Sequence, residues 1–537
     1  MILGSFWLLS IIRDRLWIYL DRGIPAWDQT HHLTGTLNYY QALQHPAFFS
    51  SEWWQNLWML SSKNPPLTYI LGAGVQSIFG RGPDQALWIM PLFSAILMGV
   101  VYALGNHLFQ RPVGLFAAII CLVIPGLYPY TLQFLLDYPL TTTIVAGFTG
   151  LIFWQDAKTP QKQWLWAAFW GICLGCAFMI KQGALFFLCF PLIIVNSNYL
   201  RHRCWRRIAQ SAIAFTLAGI ILIPWYQTNW IFFIGNYQQG IVGAGAKEGD
   251  PTWQTLAGWW YYPSRLPGVV TFPLLVVALG GGLLALWYWY KKRQISVNFP
   301  RGLKNAGLYL LPAYIIATIF PNKDIRYIMP AFPFLAILLA WGLSLWPQKW
   351  RSLRWGTIGI LSGLMLLNLF PIGLQSLANT PFYPDTRSPV PHTEIVQSII
   401  EKTPHLQATV GVMPSTPQLN HNNFNYYGAL ADFQVYGREV GVRDRYLAQD
   451  LQALDWYLTK TGDLGAIGDI QLRTIQQIEN SPDLTLHHTW ELADTSLVKL
   501  YQRQNPPIQI ELNASPESDR LGLKNIIIPP SAPPGQP

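Results

Sequence analysis

Residues 86–108 read ALWIMPLFSAILMGVVYALGNHL, and this stretch decides the fold class because it contains no Asp, Glu, Lys or Arg. A helix needs about 20 mostly apolar residues to cross the hydrocarbon core of a bilayer. Further apolar runs of this kind occupy residues 112–128, 138–154, 164–180, 183–199, 208–225, 268–290, 305–320, 327–346 and 353–374. The pattern predicts a mainly α-helical, polytopic membrane protein.

The composition of the whole chain supports this class. Of the 537 residues, 51% are hydrophobic and only 12% are charged, and the mean hydropathy is +0.22. Soluble domains carry about twice that share of charged residues. The net charge of +9 arises from short basic clusters between apolar runs, such as Arg201, Arg203, Arg206 and Arg207. Such clusters are typical of cytoplasmic loops, so we expect a lipid bilayer and no nucleic acid as partner.

The charge distribution also predicts a topology. The first apolar run, 1–12, is short and is interrupted by charged residues 13–15, so we interpret it as a truncated or tilted first helix. Counting 65–80 as a span would put the basic cluster 201–207 outside, so we expect interfacial or re-entrant helices across 30–80 instead. About eleven transmembrane helices result, with the amino terminus inside. The small number of cysteines, five, favours a bacterial protein. We therefore expect the chain to be a multi-pass protein of the inner (cell) membrane.

A change of composition near residue 379 predicts three domains. Residues 1–375 form the membrane domain, 376–503 a small extracytoplasmic α/β domain, and 504–537 a disordered proline-rich tail. Within the α/β domain the patterns predict helices at 392–402, 422–431 and around 471–479, strands at 408–413, 433–436 and 466–470, and a hairpin near 484–502.

Polar residues at the predicted outer face are the candidates for chemistry, because the spans themselves are almost free of ionisable groups. The most informative string is IPAWDQTHH at residues 24–32. A half-buried carboxylate of Asp28 could act as a general base or bind a metal, and His32, four positions on, shares its helical face. Taken alone, the string favours a simpler interpretation, in which Asp28 caps a helix and the histidines are interfacial.

Further charged residues border the predicted spans on the same face. Each alone is weak evidence, because Lys and Arg at helix ends commonly snorkel to the interface. Together they place two carboxylates among several cations, which suits a site that binds a phosphate and deprotonates a hydroxyl. These residues are Asp28, Lys63, Asp137, Lys181, Arg265, Lys323 and Arg326.

Five strings, taken in order, resemble the membrane glycosyltransferases of the GT-C superfamily over about residues 1–375. They are Trp27-Asp28, Pro65-Pro66-Leu67, Asp137-x-Pro139-Leu140, Met179-Ile180-Lys181 and Arg326-Tyr327-Ile328-x-Pro330. Within that superfamily the chain is similar to the protein O-mannosyltransferase and lipid A aminoarabinose transferase group. The resemblance implies a GT-C fold and an inverting sugar transfer at the outer membrane face, from a polyprenyl-phosphate donor to a hydroxyl of a lipid, glycan or protein acceptor.

The resemblance also implies roles for individual residues. Asp28 would be the catalytic base, and Asp137 would orient the acceptor or assist a metal. The residues that would bind the substrate, chiefly its phosphate, are Lys63, Lys181, Arg265, Lys323, Arg326 and Tyr327.

Two departures from the family bear on a metal. Gln29 follows Asp28 where relatives often have an acidic pair, and the loop 226–266 has no histidine, with Glu248 and Asp250 as the nearest substitutes. The binding of a divalent ion at Asp28 and His32 therefore stays an open question.

Two non-enzymatic alternatives are kept beside the transferase hypothesis. A transporter or flippase of a lipid-linked saccharide would need a continuous polar path through the spans. A scaffold or receptor would work through its outer α/β domain.

Overall fold

The computed structural model describes residues 1–237, 249–292, 299–373, 375–377, 379–403, 407–441 and 444–504. Contacts between these residues divide the chain into two compact units. The first unit consists of Met1–Asp21 and Asn38–Pro384, and the second of Arg22–Leu37 and the chain from Asp385 onward. The predicted domain limits stay a prediction, and apart from Gln504 the predicted tail lies outside the described residues.

The chain up to residue 384 is helical. Its α-helices are α1 Ile2–Leu20, α2 Asp28–Ala42, α3 Ser51–Met59, α4 Leu67–Phe79, α5 Pro83–Ala86, α6 Met90–Leu108, α7 Arg111–Val123, α8 Asp137–Asp156, α9 Pro160–Phe178, α10 Ala184–Arg201, α11 Trp205–Tyr237, α12 Leu256–Val270, α13 Phe272–Lys292, α14 Phe299–Ile319, α15 Phe332–Ser344 and α16 Arg351–Leu369. Short 3₁₀ helices lie at Leu87–Ile89, Tyr128–Thr131, Ile325–Ala331, Gln348–Trp350 and Gln375–Leu377.

Each predicted apolar run forms a helix, but the number of spans stays a prediction. Among the described residues, four helices are long and apolar enough to cross a bilayer. The number is five if α12 and α13, which meet at a bend of 104°, count as one broken span. The segment 65–80, which the sequence predicts not to span the membrane, contains α4. This helix has 13 residues and is only about 20 Å long, which is less than the thickness of the bilayer core.

Helix α1 is continuous through its charged residues, and is therefore not truncated at residue 12. The Arg13 guanidinium lies 2.6 Å from the Asp14 carboxylate, and both side chains are buried. Arg13 donates to the carbonyl of Leu122 at the end of α7, and Thr131 donates to Asp14. The pair thereby fixes α1 to the link that leads from α7 towards α8.

The motif Cys173-x-x-Cys176 lies in α9, next to glycines that allow close helix packing. A Cβ atom on Gly171 would lie 2.4 Å from the carbonyl oxygen of Ala214 in α11. Only a residue without a side chain allows the two backbones to approach this closely.

The second unit contains a five-stranded sheet between helices. Its helices are α17 His392–Lys402, α18 His421–Leu430, α19 Asp444–Ala453 and α20 Asp469–Glu479, and its strands are β1 Ala408–Val412, β2 Val435–Glu439, β3 Trp456–Lys460, β4 Leu484–Glu491 and β5 Leu497–Arg503. The strand order is β2-β1-β3-β5-β4. Strand β1 pairs in parallel with β2 and β3, and β5 pairs antiparallel with β3 and β4.

Both faces of this sheet are buried at its central strand, β3. Trp456 and Leu458 of β3 belong to a core cluster that includes Phe424 of α18, whereas Tyr457 packs with Ile475 of α20. Alternate residues of a strand point to opposite faces. A strand buried on both faces therefore shows no alternation; all five residues of β3 are buried, including the polar Thr459 and Lys460.

Most predicted elements of this unit are confirmed, including the helix at 392–402, the strand at 408–412 and the final hairpin. The predicted strand at 466–470 is wrong, because α20 begins at Asp469 and Gln471 accepts a hydrogen bond from the Gly468 amide at its start. The sequence prediction also missed α19 and the central strand β3.

Candidate active site

In the second unit, the segment that carries Asp28 is held by contacts with its own unit. The amide of Arg22 donates to the Asp385 carbonyl at 2.7 Å. Ile24 packs against the core cluster of the sheet. The side-chain amide of Asn423 donates to the carbonyl of Pro25 at 3.1 Å.

Helix α2 begins at Asp28, so the predicted helix start is confirmed. The Gln29 amide donates to the Ala26 carbonyl, and the Thr30 hydroxyl donates to the Trp27 carbonyl. Asp28 itself is exposed rather than half-buried, and it lies on the first turn of the helix, where the helix dipole favours a negative charge.

The predicted metal ligands do not make a complete site. Among the described residues, no three His, Cys, Asp or Glu side chains are grouped so that they could hold a metal ion. His32 is buried and its ring contacts that of His31. Glu248 lies outside the described residues, and Asp250 accepts the backbone amide of Lys323. The donors in the described part of the chain are too few to hold a metal, so the metal stays a prediction and we derive no step through it.

In the first unit, Asp137 and Lys181 form a close ion pair. Asp137 is the first residue of α8 and is 5% exposed. Lys181 lies in the turn between α9 and α10, and its Nζ donates to Asp137 Oδ1 at 2.8 Å. Burial alone would lower the pKa of Lys181, but attraction from the Asp137 carboxylate outweighs it, so the pKa lies above its ordinary value. Lys181 therefore carries its positive charge at neutral pH.

Other predicted residues lie beside this pair. The Gln182 side chain donates to the Lys63 carbonyl at 3.1 Å, which places the exposed Lys63 next to the turn of Lys181. The Tyr327 ring centroid is 5.5 Å from Lys181 Nζ. The structure thus brings together Lys63, Asp137, Lys181 and Tyr327.

Sequence reasoning missed Tyr130 as a site residue. Its side chain is partly buried and lies within the electrostatic influence of Asp137, Asp324 and Arg326. The signal was its place in the short link that ends at Asp137, which the sequence predicts to lie outside, but one tyrosine among 25 does not stand out.

The remaining predicted cations have local partners. Arg326 pairs with Asp324 at 2.7 Å, and Arg265 lies over the Tyr261 ring at 3.5 Å. Lys323 is 3% exposed. Its ammonium donates to the carbonyls of Ala317, Thr318 and Phe320, the last turn of α14 and the residue after it.

In this structure Lys323 therefore caps a helix C-terminus. Its role in phosphate binding stays a prediction.

Residues 2–236 match the family model of dolichyl-phosphate-mannose-protein mannosyltransferases. The undecaprenyl phosphate-alpha-4-amino-4-deoxy-L-arabinose arabinosyl transferase of Shewanella sediminis (strain HAW-EB3) is 24% identical over 267 residues, which are 46% of this chain. The match spans 45% of that relative's length.

Solved structures share the fold over a larger part of the chain. ArnT from Cupriavidus metallidurans bound to undecaprenyl phosphate is similar over 93% of this chain and 97% of its own, with a TM-score of 0.59 and 13% identity. The arabinofuranosyltransferase AftD from Mycobacteria is similar over 93% of this chain and 40% of its own, with a TM-score of 0.52 and 14% identity. At these identities the similarity shows the fold alone. In fold and sequence, the chain resembles the GT-C membrane glycosyltransferases of the O-mannosyltransferase and aminoarabinose transferase group, as its motifs predict.

Proposed function

We propose that the protein is a glycosyltransferase that moves a sugar from a polyprenyl-phosphate donor to an acceptor hydroxyl, with inversion. The reaction takes place at the outer face of the cell membrane, and the acceptor is a lipid, a glycan or a protein. The observation that carries the proposal is the cluster of Lys181, Asp137, Lys63 and Tyr327 in a chain whose fold matches a transferase bound to undecaprenyl phosphate.

The cations suit a leaving phosphate. Lys181 is fixed by Asp137 at 2.8 Å before any ligand arrives, and Lys63 lies beside it with an exposed side chain. A positive charge that is already in place stabilises the charge developing on the departing phosphate without reorganisation. Asp137 thus acts as the residue that positions the Lys181 ammonium.

An apolar cavity has a volume of about 160 Å³. Some of its lining residues are neighbours in the sequence of the predicted cations Arg265 and Arg326. It lies between α12, α14, α15 and the 3₁₀ helix Ile325–Ala331, and its lining includes Leu266, Leu310 and Phe332. Burial of hydrocarbon in such a cavity is favourable. A donor that ends in a long isoprenoid chain needs apolar surface of this kind next to the groups that bind its phosphate.

The proposed step is a single displacement. The acceptor oxygen forms a bond to the anomeric carbon while its proton passes to the Asp28 carboxylate. The bond between the anomeric carbon and the phosphate oxygen breaks, and its electron pair leaves with the lipid phosphate. Attack opposite the leaving group inverts the anomeric centre. General-base assistance of this kind contributes typically 10²- to 10⁴-fold to a rate.

The test uses the purified full-length protein in lipid nanodiscs. Undecaprenyl-phosphate mannose and undecaprenyl-phosphate 4-amino-4-deoxyarabinose are supplied as donors with host membrane extract as acceptor, and release of undecaprenyl phosphate is followed by mass spectrometry. We expect turnover of a donor of this class and its loss in Asp28→Asn. The matched control is Glu52→Gln, which neutralises an exposed carboxylate on α3 of the same outer loop.

Three outcomes decide the matter. Wild-type turnover in Asp28→Asn would remove Asp28 as the base. Failure of the protein to consume either donor or to bind undecaprenyl phosphate would overturn the proposed donor class. Movement of intact donor across the membrane of liposomes, without release of lipid phosphate, would support the transporter alternative, which the comparisons do not favour.

A further inference from the structure

We propose that the C-terminal unit positions the catalytic carboxylate, with Asn423 as the positioning residue that holds the segment preceding Asp28. This inference rests on the proposed function, because it assumes that Asp28 is the base. The contacts that carry it lie within the second unit, which contains both Arg22–Leu37 and the α/β sheet.

Three contacts attach the segment just before Asp28 to that unit. They are the bond from the Arg22 amide to the Asp385 carbonyl, the packing of Ile24 on the sheet core and the bond from Asn423 to the Pro25 carbonyl. The stretch 22–25 is thus held at three of its residues by a backbone bond, an apolar contact and a side-chain bond. Attachment at three points restricts the rotation of the segment as well as its position.

The attachment point at Asp385 is itself held. Asp385 pairs with Arg387 at 2.6 Å and accepts a hydrogen bond from the Gln418 side chain. These contacts keep the pKa of Asp385 at about 2, chiefly because Arg387 donates to its carboxylate.

Asn423 is built into the fold by two different bonds. It is fully buried, and its side-chain oxygen accepts from the Asn420 amide in the capping box of α18. Its side-chain nitrogen is thereby directed to the Pro25 carbonyl. Because the oxygen is engaged in the cap, the amide group cannot turn away from Pro25 without breaking the cap as well. A preorganised donor of this kind locates its acceptor more closely than a free side chain does.

The backbone between Pro25 and Asp28 needs such support. Trp27, the residue before Asp28, has a backbone φ of +27°. Residues with side chains rarely adopt a positive φ. Its side chain is 42% exposed, so side-chain burial alone does not enforce this conformation. Unfavourable backbone conformations persist where the surrounding contacts over-determine them. Pro25 on one side and the first turn of α2 on the other supply those contacts.

The decisive variant is Asn423→Asp. The carboxylate retains an oxygen that accepts from the Asn420 amide, and its charge is tolerated at a helix N-terminus. However, it has no proton to donate to Pro25. The variant thus removes one bond and leaves the cap in place. The control is Asn422→Asp, which introduces the same charge one residue earlier, at a side chain that makes no hydrogen bond within the described part of the structure.

The first measurement is hydrogen exchange of the full-length protein, read by mass spectrometry. We expect Asn423→Asp to raise exchange about tenfold in the peptide covering 22–31, as the loss of a buried hydrogen bond implies, and to leave β1 and β3 unchanged. Asn422→Asp should match the wild type in both regions. Unchanged exchange in 22–31 would overturn the inference, and so would a rise that extends equally to the sheet, since that would indicate general unfolding of the unit.

The second measurement separates this inference from the proposed function. With the donors described above, we expect Asn423→Asp to lower kcat about tenfold with KM for the donor unchanged, and to cause no further loss in an Asp28→Asn background. If Asp28→Asn is inactive while Asn423→Asp turns over like the wild type, the positioning role fails and the proposed function stands. If Asp28→Asn retains activity, the assignment of the base fails, and with it the basis of this inference.

Discussion

A buried histidine makes the C-terminal unit sensitive to acid. His392 begins α17, is 1% exposed, and its ring stacks on Tyr427 at 4.8 Å. Nδ1 lies 3.2 Å from the Val390 carbonyl, which can only accept, so Nδ1 carries the proton of the neutral ring. Nε2 is buried and has no hydrogen-bond partner among the described residues. A second proton would therefore have to enter at an unsolvated nitrogen.

The size of the effect follows from the pKa. Burial lowers the pKa of His392 from 6.5 to about 4, and the bond to Val390 offsets only part of this. Between these two values the unfolded chain binds more protons than the folded one, so stability falls as the pH falls. Linkage over this interval gives a loss of about 2–3 kcal/mol on going from about pH 7 to about pH 4.5.

The assay is hydrogen exchange of β1, β3 and β5 in the full-length protein, with wild type and His392→Phe compared at the same pH so that intrinsic exchange rates cancel. We expect the two proteins to differ little at about pH 7, and the variant to be the more protected by about 2–3 kcal/mol at about pH 4.5. Phe keeps the stacked ring and cannot be protonated. An equal difference between the two proteins at both pH values would refute the reasoning, because the effect would then come from packing alone.

Three further perturbations test other parts of the structure. Lys181→Met leaves the Asp137 carboxylate buried without its partner and should lower the unfolding free energy by about 3–5 kcal/mol. Thermal unfolding should show that the double variant Lys181→Met/Asp137→Leu recovers stability relative to Lys181→Met. Lys323→Met removes the donor to three carbonyls and should lower the unfolding temperature without weakening undecaprenyl phosphate binding; weaker binding at unchanged stability would instead make Lys323 a phosphate ligand. Gly428→Ala would place a Cβ 1.8 Å from the Val435 carbonyl oxygen, so we expect a loss of about 1–3 kcal/mol, seen as faster exchange in β2.

The helices of the first unit were predictable because a bilayer constrains the sequence so strongly. Backbone groups in hydrocarbon must be satisfied within the segment, so an apolar run of sufficient length becomes a helix. Even α1 follows this rule: its charged residues 13–15 do not break the helix, because Arg13 and Asp14 satisfy each other. The partners that make this possible, Leu122 and Thr131, are distant in the sequence and could not be foreseen.

The second unit was less predictable, for two physical reasons. Strand β3 is buried on both faces and shows no alternation, so a periodic pattern cannot identify it. The residues around Ala466 have the composition of a strand, but the cap formed by Gln471 on Gly468 starts a helix. Local side-chain bonds to the backbone decide such boundaries.

The residues that the structure groups around Asp137 and Lys181 are among the predicted ones, but their contacts could not be predicted. The motif order placed Asp137 and Lys181 on one face, and the structure joins them directly. By contrast, no local pattern relates Pro25 to Asn423, because hundreds of residues separate them. Tyr130 was missed for a similar reason, since its significance lies only in its neighbours.

The proposed base belongs to the second unit. Asp28 lies in Arg22–Leu37, which clusters with the chain that forms the α/β sheet. In the proposed mechanism, removal of the acceptor proton therefore depends on the core of this unit. A substitution in that core should slow this step. If so, the C-terminal unit is part of the catalytic apparatus rather than an appended recognition domain, because the residues that hold the segment before Asp28 are its own.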